Sequence, residues 1–133
     1  LLVLARSLQN SASGIDMTAR QQLFLNQIIT RLDSDSGHGV SLEELSEVVN
    51  YSPNYTCSLF KKITGMHLKD YILTLRVDKA KIMIKENPEA KITDIAYASG
   101  FNDLSAFNRA FRAIAGMTPT HHRNICIEKI IKP

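Results

Sequence analysis

No tryptophan, only two cysteines, no strand-like alternation and no long apolar run occur in this 133-residue sequence. Each absence removes a class. A membrane-spanning helix needs about 18–20 consecutive apolar residues, and the opening "LLVLA" is far too short. Cys57 and Cys126, with no signal peptide, point to reduced thiols in a cytoplasm and not to a disulfide frame. A large excess of one charge is also missing. Sixteen Lys and Arg face 13 Asp and Glu, and a net charge of +3 permits a nucleic-acid partner without demanding one. There is no initiator methionine either. The apolar start reads as the cut end of a helix, so the chain is expected to be a fragment with a domain missing upstream.

What is present is helical periodicity and 44% hydrophobic residues, enough for a packed core. The length suits one helical domain or two small ones. Charge is uneven along the chain. Residues 1–39 carry three positive and three negative side chains, residues 40–90 seven and seven, and residues 91–133 six and three. The whole positive excess therefore sits at the C-terminal end.

"SLQNSASGID", residues 7–16, reads as a linker. Thr18 and Gln21 then have the spacing of a capping box. Leu25, Ile28, Ile29 and Leu32 fall on one helix face, and "DSDSGHG" ends that helix. Ser41 and Glu44 form a second capping box, ahead of a short helix with Leu42, Leu45, Val48 and Val49 as its apolar stripe. Asn50 supplies a residue tolerant of the left-handed turn. Ser52 and Pro53 restart a helix as N-cap and first position, with Tyr55, Leu59, Phe60 and Ile63 expected inward and Gly65 at its end. Residues 68–85 carry two apolar stripes, Leu68, Tyr71, Ile72 and Leu75 on one and Leu73, Val77, Ala80 and Ile84 on the other. A helix apolar on two sides is buried between two partners. At about 1.5 Å per residue it is roughly 26 Å long.

The pattern then returns. Thr93 is expected to cap a short helix holding Ile95, Ala96 and Ala98, Gly100 supplies the turn, and Asn102 or Asp103 caps the next helix, which ends at Gly116. Leu45 aligns with Ile95, Ser46 with Ala96, Asn50 with Gly100, Tyr51 with Phe101, Phe60 with Phe111, Gly65 with Gly116 and Met66 with Met117. The offset grows by one residue at the turn. This is a duplicated unit of short helix, tight turn and longer helix, the pattern of a helix-turn-helix. In "GFNDLSAFNRAFRAIAGMTP", Phe107 and Phe111 occupy one side and Asn108 and Arg109 another.

Chemistry of other kinds lacks its residue sets. Ser58 and Ser105 have no strand-elbow glycines and no nearby His/Asp pair. His121, His122 and Cys126 do not complete a zinc set, because adjacent histidines point to different sides of a helix. No catalytic residue, metal or cofactor is expected, and the chain is not read as an enzyme.

The segment "ITDIAYASGFNDLSAFNRAFRAIAGMTPTHHR" resembles the second helix-turn-helix of the AraC/XylS family of bacterial transcription regulators, through Ile95, Ala96, Gly100, Phe101, Phe107, Arg109, Phe111, Gly116 and Pro119. "SLEELSEVVNYSPNYTCSLFKKITGM" resembles the family's first unit and "YILTLRVDKAKIMI" its linker helix. The resemblance covers about residues 20–123. It implies an all-α fold of seven helices, a homeodomain-like pair of helix-turn-helix subdomains joined by a central linker helix. The corresponding division is 1–16 as the tail of the missing domain and linker, 17–86 as first subdomain with linker helix, 87–123 as second subdomain and 124–133 as a tail. Recognition helices at about 53–64 and 103–115 would enter successive major grooves, which repeat about every 34 Å. Base-contact candidates are then Asn54, Cys57 and Ser58 in the first unit and Ser105, Asn108 and Arg109 in the second. Lys61, Lys62 and Arg112 are phosphate-contact candidates. Ser58 stands where the family often has arginine, Thr56 where it often has leucine, and His122 where it often has tyrosine.

The partners implied are double-stranded promoter DNA and RNA polymerase. The fragment would be monomeric, and the full-length protein a dimeric activator, acting in the bacterial cytoplasm at the nucleoid. Two other classes remain open on sequence alone. One is the targeting domain of a response regulator or of a DNA-repair alkyl transferase. The other is a helical protein-interaction module.

Overall fold

The structure, a computed structural model, describes residues 18–35 and 40–131. The expected linker at 7–16, the apolar start, and part of "DSDSGHG" lie outside the described residues. Seven helices occur among those described: α1 (Ala19–Asp35), α2 (Leu42–Val49), α3 (Pro53–Thr64), α4 (Leu68–Glu86), α5 (Ile92–Ala98), α6 (Leu104–Ala115) and α7 (Pro119–Ile131). The described chain is all-helical.

The helix ends follow local chemistry. A helix leaves its first N–H groups without intrahelical acceptors, and a polar side chain at the N-cap supplies one. Thr18 and Gln21 form the full reciprocal box: the Gln21 N–H donates to Thr18 Oγ1 (3.1 Å) and the Thr18 N–H to Gln21 Oε1 (3.2 Å). The second box is half made. Ser41 Oγ accepts from the Glu44 N–H at 3.1 Å, but the Glu44 carboxylate pairs with Arg31 at 3.0 Å. Thr93 does not cap α5. The helix begins earlier, at Ile92, with Lys91 in the N-cap position and no side-chain cap bond. Ile92 packs against the core there, so burial of an apolar residue sets the start instead of a hydroxyl.

The chain divides into two compact units, Leu1–Ile72 and Leu73–Pro133. The boundary between these units falls inside α4. Leu68 and Tyr71 are buried with the first unit, where the Tyr71 and Phe60 rings lie 5.6 Å apart. Val77, Ala80 and Ile84 join the core of the second. The expected tail at 124–133 is helical through Ile131 as part of α7, and Cys126 packs against that same core.

In the first unit Phe24, Leu25, Ile28 and Leu32 of α1, Leu45 and Val49 of α2, Phe60 and Ile63 of α3, and Leu68 and Tyr71 of α4 are buried. Burial, and then the Asp33 carboxylate, pushes the Tyr71 phenol up to about 12. Two inward expectations fail: Val48 and Tyr55 are exposed. Polar residues took their place on the inner face. Ser46, Thr56 and Thr64 are buried, and each hydroxyl donates to the carbonyl four residues earlier at 2.7–2.8 Å, for Thr56 that of the N-cap Ser52. A buried hydroxyl is tolerated when its hydrogen bond is made. Each helix is thereby rotated relative to a count of apolar residues alone.

The second unit is built on Val77, Ala80 and Ile84 of α4, Ile95 and Ala96 of α5, Phe101, and Phe107 and Phe111 of α6. Phe107 lies 5.3 Å from Phe101 and 5.6 Å from Phe111, a continuous aromatic chain.

Candidate nucleic-acid interface

The two turns are built by the same hydrogen bonds. In the first, the Asn50 N–H donates to Glu47 O and the Tyr51 N–H to Ser46 O. In the second, the Gly100 N–H donates to Tyr97 O and the Phe101 N–H to Ala96 O. Asn50 and Gly100 both have positive φ, 59° and 103°. Gly100 is further constrained, since an added Cβ would stand 3.1 Å from Arg76 Nε.

After the turn the two longer helices start and stop alike. Ser52 caps α3 by accepting from the Tyr55 N–H, and Asp103 caps α6 by accepting from the Ala106 N–H. Of the two residues able to cap α6, Asp103 does so. Gly65 and Gly116 close the helices, both at φ 77°. Every position of α6 therefore has a counterpart 51 residues earlier in α3.

That register places the candidates. Asn54, Cys57, Ser58 and Lys61 follow one stripe of α3 at i, i+3, i+4 and i+7. Ser105, Asn108, Arg109 and Arg112 are their counterparts on α6. All eight are exposed except Cys57, which is half-buried at the edge of its stripe. Lys62 is exposed but lies off the stripe, and its counterpart is Ala113. Phe60 and Phe111, on the inner faces of the same helices, are fully buried. Neither α3 nor α6 contains an acidic residue, and each carries two cations. The bracing helices differ: α2 holds Glu43, Glu44 and Glu47, and α5 holds Asp94.

One exposed group escaped the sequence pattern. Tyr55 is 51% exposed beside Asn54, with its ring edge-on to Tyr51 at 4.8 Å. Its hydrophobicity assigned it inward; its counterpart on α6 is the small, half-buried Ala106. The departures from the family pattern are accommodated differently. Thr56 is fully buried, with its hydroxyl bonded to Ser52 O. His122 is half-buried with its ring 5.6 Å from that of Phe111, whereas His121 is exposed.

Burial first, then the charges of Lys81 and Lys129, holds the His122 imidazole below its ordinary 6.5. The unfolded chain then binds the proton more readily than the folded one. Stability is full above pH 6.5 and falls as the pH drops below it. The melting temperature of the wild-type chain should decline more on acidification below pH 6.5 than that of His122→Tyr; parallel curves would show that His122 carries no linkage.

Among the described residues, no helix is long and apolar enough to cross a membrane. The helix-turn-helix domain family matches residues 45–125. The HTH-type transcriptional regulator YobQ of Bacillus subtilis is 40% identical over 85 residues, which cover 64% of this chain and 35% of that protein. The chain spans about a third of the length of the first curated relatives it matches. A solved AraC-type regulator from Chromobacterium violaceum has a TM-score of 0.69 at 23% identity, covering 82% of this chain and 96% of that one. The DNA-binding domain of AdpA, solved with a target DNA, has a TM-score of 0.71 at 19% identity, covering 82% and 97%. The duplicated turns, the equal caps and the family match agree: the chain belongs to the AraC family of helix-turn-helix DNA-binding domains of transcription regulators.

Proposed function

We propose that this domain reads promoter sequence with both α3 and α6, each lying in a major groove, the two grooves being successive turns of one duplex. The observation that carries the reading is the pair of acid-free helices whose exposed stripes stand in the same register. A helix presenting short polar groups and cations, with no carboxylate, suits a surface lined by phosphate and base edges. Asn54, Cys57, Ser58, Ser105, Asn108 and Arg109 lie in the N-terminal and middle turns, the part of a recognition helix that meets bases. Lys61 and Arg112 stand one turn further on and take phosphates, with Lys62 and the Tyr55 hydroxyl at the flank. The family resemblance extends the reading to a bacterial activator that meets RNA polymerase, dimeric through a further domain, with no catalytic step in this chain.

The test is a titration of the 133-residue chain on operator and unrelated duplexes at several salt concentrations. Lys61→Ala and Arg112→Ala should each weaken binding to all sequences and reduce the salt slope by about one charge. A protein-interaction module would show no salt-dependent affinity for either duplex, and that result would end the reading.

A further inference from the structure

The second unit has an open cleft of about 620 Å³ between α4 and α7, lined by Lys81, Ile82, Lys85, His122, Cys126 and Lys129. Its volume is that of small-ligand sites, about 300–1,000 Å³. Two properties set it apart from an ordinary wet face. Ile82 is 56% exposed, so the cleft offers apolar surface to an occupant. Lys81, Lys85 and Lys129 make no ion pair among the described residues, although carboxylates are plentiful along the chain. Burial, and then the charges of Lys81 and Lys129, hold the His122 imidazole down at the edge of this cleft.

We propose that this cleft binds a small organic anion, a carboxylate or phosphate head on a short apolar body. Lys81, Lys85 and Lys129 supply the charge opposite the head, and Ile82 and Cys126 the apolar surface against the body. A protein segment fits less well, because a stable protein interface buries about 1,200–2,000 Å² and six lining residues make a far smaller surface. A duplex fits less well too, since phosphate backbone has no apolar body to place against Ile82. The cleft is lined by residues of α4 and α7 alone and shares none with the exposed stripes of α3 and α6, so the proposal stands or falls independently of the proposed DNA reading.

The experiment follows the His122 ring and the backbone amides of the whole chain by NMR. The probes are hexanoate, hexyl phosphate, hexanol and inorganic phosphate. Saturable shifts confined to the cleft are expected with hexanoate, hexyl phosphate or both, and the stronger of the two identifies the head. Saturation should raise the His122 titration midpoint, because the bound anion opposes the lysine charges. Inorganic phosphate and hexanol, each lacking half of the required chemistry, should bind much more weakly. The double variant Lys81→Gln/Lys129→Gln should weaken the amphiphile about fivefold, whereas Lys69→Gln on the first unit should not. Three results overturn the proposal. The first is inorganic phosphate matching the amphiphiles, which is charge screening only. The second is an acidic peptide binding where neither amphiphile does. The third is a double variant that lowers affinity for a random duplex, with a smaller salt slope, while leaving probe binding unchanged, which makes the lysines DNA phosphate contacts.

Discussion

Phe111→Ala should cost the second unit about 3–5 kcal/mol, the range for removing a buried aromatic ring. The ring is fully buried and stands between Phe107 and His122, 5.6 Å from each. Truncation leaves a void beside both rings. A unit of this size is stable by only about 3–9 kcal/mol at typical values per residue, so the loss is comparable to the whole. Amide protection in α5, α6 and α7 should collapse at room temperature. Asn108→Ala, on the exposed side of the same helix, should stay within about 0.5 kcal/mol of wild type. Chemical denaturation followed by amide exchange reads both. A cost below about 1 kcal/mol for Phe111→Ala would mean that the aromatic chain does not carry this core.

Arg109→Ala should have the largest effect on sequence discrimination, about 1–3 kcal/mol at its preferred base pair. Every 1.4 kcal/mol is about tenfold in affinity. The expectation rests on chemistry and place. A guanidinium offers a planar fork of donors that matches guanine O6 and N7 together. Arg109 is exposed in the middle of α6, one turn before Arg112. Its counterpart on α3 is Ser58, and a single hydroxyl offers a weaker and less selective contact than a guanidinium, so Ser58→Ala should matter less. On the proposed reading, the first unit should then depend more on shape and phosphate contacts. Titration of each variant on the operator and on single-base-pair substitutions separates the two roles. Equal loss on every sequence would make Arg109 a phosphate clamp and remove base reading from its assignment.

The lysine-lined cleft and the exposed Tyr55 were not legible in the sequence, and the reason is the same for both. Periodicity reports which side of a helix is apolar, not what faces it. Lys81 and Lys85 of α4 are far in sequence from Lys129 of α7 and line one cleft with it only when the two helices pack together. Tyr55 read as a core residue because hydrophobicity cannot show that Thr56 and Thr64 take the inner face by bonding their hydroxyls to carbonyls four residues earlier.

The sequence by itself determined the helical class, the duplication, the caps at Thr18, Ser41 and Ser52, and the left-handed residues Asn50, Gly65 and Gly116. These are local: a side chain reaching a backbone N–H three residues away, or a φ that few residues adopt. The 51-residue register between the exposed stripes also follows from them, because equal caps fix equal helix starts. Only the tertiary structure decided the start of α5 at Ile92, the rotation that exposes Val48 and Tyr55, the division of α4 between two cores, and the continuation of α7 to Ile131. Each of these depends on what a helix is packed against. Burial free energy belongs to a pair of surfaces, and a single strip of sequence describes only one of them.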